Sequence, residues 1–267
     1  MRGHRTAAVA CLLLATGAVV AVAGCGGSAS SSGASATAPA TPAAGSAGLG
    51  TQLHLTVPAA LEHIALTNQQ GKTVRLSSWP GKTVLLVPFL TLCQDVCPLI
   101  TGNLLAVQRA LKADPAAGNV QIVELSVDPA RDTAARLAAY AKLTGGNWQF
   151  VTESAADLRG LAKFFGFYYQ KVPENHADAI DWWTGKHLTY DVDHTDNYFV
   201  IDPKGIERVE NDAAPDFHGK LNRKLYDFLD ALGHEHLVQA PQPNWTPGDL
   251  LKALAVSLGR PLPESTL

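Results

Sequence analysis

The sequence predicts an α/β fold, a three-layer sandwich, from three observations. An apolar run over Thr83–Leu90 is followed at once by a helical pattern in which Ile100, Leu104, Val107 and Leu111 share one face. A second branched-residue run, Val120–Val127, is followed by a helix face of Ala134, Leu137, Ala138 and Ala141. The pattern then closes on two short strands, Asn197–Asp202 and Ile206–Val209, joined at Pro203-Lys-Gly205, and a last helix face of Leu221, Leu225, Phe228, Leu229 and Leu232. Strands alternating with helices require a sheet covered on both faces.

The remaining elements fit between these. His54–Val57 and Ile64–Thr67 read as short strands, Asn68-Gln-Gln-Gly71 as a turn and Thr73–Leu76 as the returning strand. Trp148–Thr152 is a brief strand, Ala155, Leu158, Ala162 and Phe165 line a helix, and Phe167–Val172 is a further strand. The order β-α-β-α-β-β-α is that of thioredoxin folds, with hairpin and loop elements inserted. The segment Val172–Lys186 is read as a loop pinned by Trp182 and Trp183, with a docking surface for a partner protein as the sharper alternative. The domain is expected over 51–235 and a C-terminal tail over 236–267, where Leu250, Leu251, Leu254 and Leu258 suggest one short amphipathic helix.

Residues 1–24 have a basic start, Arg2 and Arg5, and an apolar core from Ala7 to Ala23, the pattern of a secretory signal. It ends Val22-Ala23-Gly24-Cys25, which resembles a bacterial lipobox and implies cleavage before Cys25 and lipidation of its thiol. The apolar run falls short of the ~20 residues a membrane span needs. Residues 25–50 are nearly all Gly, Ala, Ser, Thr and Pro, a composition expected to form a disordered tether reaching about 25–30 Å. The chain is therefore expected on the outer face of the cytoplasmic membrane, held by a lipid at Cys25. Net charge is −3, and loss of Arg2 and Arg5 with the leader takes it two lower, to −5. No basic stripe suggests nucleic acid.

Of four cysteines, two belong to the leader and its end, so the folded part owns only Cys93 and Cys97. They lie in Thr91-Leu-Cys-Gln-Asp-Val-Cys-Pro98, where the buried strand turns into the first turn of a helix. Residues four apart in a helical turn have alpha carbons roughly 6 Å apart, within reach of a disulfide, and the helix's positive end favours thiolate. A bridge so short in sequence constrains little, so the pair is chemical in purpose: redox-active, or a soft ligand pair for Cu(I) or Zn(II). Structural zinc usually needs a second cysteine pair, and there is none. Asp95 is read as the helix cap, with tuning of the thiols as the alternative. Pro98 is tolerated in the first turn.

Nine histidines offer a third ligand. His4 is in the leader, and His54, His63, His218, His234 and His236 are expected to be solvated surface residues. His194, in the turn ahead of the Asn197–Asp202 strand, differs, because in a thioredoxin-type sheet that turn faces the start of the cysteine helix. His176 and His187 flank the Val172–Lys186 loop and suggest a weak second copper site.

Three stretches, in order, resemble the Sco/SenC family of copper-handling thioredoxin-like proteins. They are Gly81-Lys-Thr-Val-Leu-Leu leading to Thr91-x-Cys93-x-Asp95-Val-Cys97-Pro98, then Leu125-Ser-Val-Asp-Pro-Ala-Arg-Asp-Thr133, then Val192-Asp-His194 with Tyr198-Phe-Val-Ile-Asp-Pro-x-Gly205. The resemblance covers about residues 52–232. It implies that Cys93, Cys97 and His194 bind copper, as Cu(I) or Cu(II). It further implies a metallochaperone, not an enzyme, that delivers copper to the dinuclear copper centre of cytochrome c oxidase or to another extracytoplasmic cuproprotein. The alternative is a thiol–disulfide oxidoreductase that keeps a partner's copper-site cysteines reduced, with Cys93 and Cys97 as its redox pair and Cys93 as nucleophile. Asp128 falls in the second stretch, where a turn or cap role also explains it. The family's aromatic-Gly-Tyr-Thr ahead of the first cysteine is Pro88-Phe-Leu-Thr91 here. A peroxiredoxin is disfavoured, since Pro88, Thr91 and Cys93 give Pro-x-x-Thr-x-Cys and not Pro-x-x-x-Thr-x-x-Cys.

Overall fold

A computed structural model describes residues 48–114, 118–176 and 179–264. The leader, Cys25 and nearly all of the expected tether lie outside the described residues. In chain order the elements are β1 (Thr51–Thr56), α1 (Ala59–Glu62), β2 (Leu66–Asn68), β3 (Thr73–Val74), β4 (Thr83–Phe89), α2 (Cys97–Ala113), β5 (Val120–Ser126), α3 (Ala134–Thr144), β6 (Gln149–Thr152) and α4 (Ala155–Phe165). There follow β7 (Tyr169–Pro173), β8 (Tyr190–His194), β9 (Tyr198–Ile201), β10 (Ile206–Asn211), β11 (Ala214–Pro215), α5 (Arg223–Tyr226), α6 (Ala231–His236), β12 (Asn244–Trp245) and α7 (Pro247–Leu258).

Eight strands form one mixed sheet in the order β1-β10-β9-β4-β5-β6-β2-β3. The centre is β4, parallel to β5 on one side and antiparallel to β9 on the other. All seven β4 residues are buried, as a strand covered on both faces should be. This is the expected thioredoxin-like fold. The inserted elements are β7 and β8, which pair only with each other as a two-stranded ribbon.

Helix α2 buries Ile100, Leu104, Val107 and Leu111 in the main core, while Leu99 packs with Phe217 and Leu229 in a smaller cluster. Its partner is α7, which contacts α2, β4, β9 and β10. Leu250, Leu251 and Leu254 of α7 are essentially inaccessible, and Trp245 just before it is 1% exposed, so the region set apart as a tail contributes to the same core. The local signals for α7 are strong: Thr246 and Asp249 form a capping box, Pro247 opens the helix and Gly259 ends it with φ of 65°.

The expected last helix over Leu221–Leu232 is instead two short pieces, α5 and α6. The break has a physical cause. The Asp230 carboxylate caps the new helix, accepting from Gly233 N at 2.8 Å, and the Asp230 amide donates to Gln94 O at 2.9 Å. The chain leaves the helical path to bind the cysteine loop.

Candidate metal centre

The site is assembled where β4 ends. Cys93 follows the strand by four residues, and Cys97 opens α2. The turn between them is held from outside. Asp132, fully buried, accepts from the Thr91 amide at 3.1 Å, from the Thr91 hydroxyl, and from Ser126 Oγ at 2.7 Å. Trp182 Nε1 donates to Thr91 O at 2.6 Å, and Gln94 Nε2 donates to Glu174 Oε2 at 3.2 Å.

Cys93 Sγ accepts from the Cys97 amide at 3.3 Å, and Cys97 Sγ accepts from the Leu90 amide at 3.5 Å. His194 ends β8 and brings Nε2 to 3.2 Å from Cys97 Sγ, while its Nδ1 lies 2.9 Å from Thr195 O. With Nδ1–H donating to that carbonyl, Nε2 is the ring nitrogen that faces the sulfurs and could ligate a metal. The two sulfurs and one ring nitrogen lie within 4.8 Å of one another. Cys97 is inaccessible and Cys93 is 7% exposed, so Cys93 is the sulfur nearer solvent.

The two thiols are electrostatically unlike. A hydrogen bond from Cys97 pulls Cys93 well below the ordinary thiol range against the opposing effect of burial, and His194 adds to the lowering. Burial and the neighbouring Cys93 push Cys97 well above it. Burial disfavours the His194 imidazolium, but the bond to Cys93 and its negative charge outweigh this and raise it to about 9. A thiolate, a thiol and an imidazolium thus share one pocket in the metal-free chain; once a metal displaces their protons, two sulfurs and one imidazole nitrogen are a soft donor set of the kind that suits copper.

Several sequence readings need correction. Asp95 does not cap α2: the helix begins at Cys97, its N-cap position is Val96, and no side chain caps it. Asp95 lies one residue further out, where Oδ1 meets His236 Nδ1 at 2.6 Å. His236 is accordingly not a solvated surface residue, its side chain being 14% exposed. His194 belongs to the ribbon and not to a bare turn, because β8 pairs Tyr169 with His194. His176 approaches Asp230 at 3.6 Å, and among the described residues the Cys93–Cys97–His194 cluster is the one set of three metal donors. Trp182 is a structural pin, packed on Tyr140 with ring centroids 5.9 Å apart, whereas Trp183 is exposed and stands over Arg136.

Asp128 does more than shape a turn. It pairs with Arg131 and accepts from Tyr190 Oη at 3.0 Å, and Arg131 Nη1 donates to Tyr190 O at 2.7 Å. The stretch Ser126–Asp132 therefore grips both sides of the site, the cysteine loop through Asp132 and the ribbon through Asp128 and Arg131. The motif was visible in the sequence, but its two targets are 41 and 62 positions away.

The fold and this donor set define a thioredoxin-like protein with a Cys-Cys-His centre at the start of its cysteine helix. The SCO1/SenC family model matches residues 58–211, and the chain belongs to that family. It is 33% identical over 186 residues to the SCO1 protein homolog of Bacillus subtilis, covering 67% of this chain and 84% of that one. Among solved structures it resembles Bradyrhizobium japonicum ScoI with copper bound, at 26% identity and a TM-score of 0.48, covering 65% of this chain and 97% of the other. It also resembles BsSco, a Sco family member in which a disulfide switch was identified, at 26% identity and a TM-score of 0.44, covering 61% and 85%. The chain spans about half the length of mitochondrial SCO2 homologues that it matches, 50% in the bovine protein. Among the described residues, no helix is long and apolar enough to cross a membrane.

Proposed function

We infer that this protein is a copper carrier that binds the metal through Cys93, Cys97 and His194 and hands it to an extracytoplasmic acceptor, the dinuclear copper centre of cytochrome c oxidase. The observation that carries this reading is the meeting of the three donor atoms within 4.8 Å, contributed by a helix start and a ribbon 97 residues apart. Membership of the SCO1/SenC family supports the same metal and the same destination. Two sulfurs and one imidazole hold Cu(I) at low coordination and also accept Cu(II). Transfer then needs only ligand exchange, with an incoming thiolate or imidazole displacing His194 first and the two sulfurs last.

Lipidation of Cys25 and a flexible tether would keep the carrier at the outer face of the membrane, beside its acceptor. Replacing Cys25 with Ser is expected to release the chain from membranes and abolish the globomycin-sensitive processing shift. Persistence of membrane attachment would remove the anchor from the account.

The decisive test is in cells. Deleting the gene should lower assembled cytochrome c oxidase activity, and the wild-type chain should restore it while Cys93→Ser, Cys97→Ser and His194→Ala do not. Full oxidase activity without the chain would refute the assignment of the acceptor.

The inequality of the two thiols supports a second reading, a thiol–disulfide oxidoreductase. The ionised, more accessible Cys93 would attack a partner disulfide and Cys97 would resolve the mixed disulfide. His194→Ala separates the two, since reduction of a partner survives loss of the imidazole and copper transfer does not.

A further inference from the structure

His236 stands at the mouth of the metal centre and has no part in the three-donor set. It lines, with Cys93, Asp95, His194 and Asp196, one cavity of about 450 Å³ that opens to solvent. Both histidines and Asp196 thus line the same opening. His236 comes from α6, beyond the residues 58–211 that the family model matches.

The docking of α6 is close and specific. A Cβ on Gly233 would come within 2.5 Å of Gln94 O and 3.0 Å of Asp95 Cα, so only glycine permits the helix to lie on the cysteine loop. The helix is fixed there independently of His236 by the Asp230 amide on Gln94 O at 2.9 Å. What His236 adds is its contact with Asp95, Nδ1 to Oδ1 at 2.6 Å. A carboxylate that takes the Nδ1 proton is the usual companion of a ligating histidine, because it orients the ring and leaves Nε2 free with raised basicity. The heavy-atom contact such a pair makes is present here, at a cavity shared with Cys93 and His194, with Asp95, the residue between the two cysteines, as the carboxyl partner.

We propose that His236 is a transit ligand for copper, a docking point through which the metal enters and leaves the Cys93–Cys97–His194 centre. The proposal rests on the copper-carrier reading. Copper exchanges one of its donor's ligands for His236 Nε2, and the Cys93 thiolate then displaces the imidazole, one Cu–N bond breaking as one Cu–S bond forms. The donor's remaining ligands leave as Cys97 and His194, their protons released to solvent, bind in their place, and no electron moves. The dyad's value is kinetic: it shortens the interval in which copper has too few ligands, and it contributes little to the final affinity.

The test uses the full, reduced chain without oxygen, with Cu(I) presented as its coloured bicinchoninate complex. Loss of the colour times the uptake, and bound copper is counted at the end. The wild type should load one copper. His236→Gln, which keeps a hydrogen-bond donor for Asp95, and His236→Ala should load the same amount about tenfold more slowly, in the range expected for a supporting residue. His234→Ala, two residues away with its Nδ1 on Asp230 O, should load at the wild-type rate. In the metal-free protein, nitrogen NMR should show the His236 proton on Nδ1. Wild-type loading rates in the His236 variants overturn the proposal and leave the carrier reading intact. Equal slowing by His234→Ala, or an Nδ1 without its proton, also overturns it by reducing His236 to a helix fastener. Failure of the wild type to take up copper at all defeats the carrier reading, and this one with it.

Discussion

The two halves of the metal centre are built differently. The cysteines leave a strand buried along its whole length and enter a helix with eleven buried residues, flanked by paired strands on both sides. The histidine ends a ribbon outside the main sheet, in which β7 buries no residue and β8 buries only Val192. The ribbon is held to the body near the site by Asp128, Arg131 and Tyr190, with Arg131 3.7 Å above the Tyr190 ring. Core packing resists displacement and a polar clasp yields more readily. The sulfurs are thus set in a densely packed floor and the imidazole in a wall with fewer buried residues, held in part by a polar clasp.

The two supports differ most sharply at their ligands. Cys93→Ser or Cys97→Ser should abolish stoichiometric copper binding, whereas His194→Ala should retain copper on the two sulfurs with weaker affinity. Competition with a chelator of known affinity reads the difference. Equal losses at all three positions would erase the distinction between floor and wall.

The next largest effect is on stability. Leu104, fully buried in α2, should cost about 2–5 kcal/mol on replacement by Ala, read from denaturant midpoints at constant slope. A smaller effect belongs to pH. Glu124 on β5 is inaccessible and accepts from Thr101 Oγ1 of the cysteine helix at 3.0 Å and from Trp148 Nε1 at 2.8 Å. Burial raises its carboxyl to about 8, these bonds opposing. The folded chain therefore keeps a proton that the unfolded chain gives up near pH 4.5, so this group costs stability as pH rises from 4.5 to 8, by at most about 1.4 kcal/mol per pH unit. Glu124→Gln should remove that slope and be the more stable form at pH 8.5. A variant with the wild-type pH slope would show that Glu124 is ionised when folded.

The smallest global change should come from Arg131→Ala. Loss of the clasp is expected to lower overall stability by about 1 kcal/mol while hydrogen exchange in β8 accelerates and that in β4 does not. Acceleration in both would mean that the ribbon and the sheet open as one unit.

This division also marks what the sequence could reveal. Cys93 and Cys97 were legible because strand, turn and helix are contiguous and each has its own period. The fold class followed from the same local patterns. His194 stood apart from the other histidines by its place ahead of the Asn197–Asp202 strand, but only the family motifs named it as the third donor, because the ribbon that carries it is defined by pairing to Tyr169–Pro173. Asp95 misled for a similar reason: as a short acidic residue ahead of a helix it fits a cap, and its true partner lies 141 positions away. α7 is the opposite case. Its leucine spacing gave the helix correctly and its Thr246-Pro-Gly-Asp249 start reinforces it, but its placement in the core and not in a tail comes from packing against α2 and the sheet.

The central claim is that three donors from two dissimilar supports converge on one metal ion. The most direct measurement is an anaerobic copper titration of the reduced full chain, with each of Cys93, Cys97 and His194 replaced in turn, followed by thiolate-to-copper absorption and X-ray absorption at the metal. The account predicts one copper per chain with two sulfur neighbours and one imidazole nitrogen, the nitrogen lost in His194→Ala. A wild-type spectrum without the imidazole, or one unchanged by His194→Ala, would contradict it.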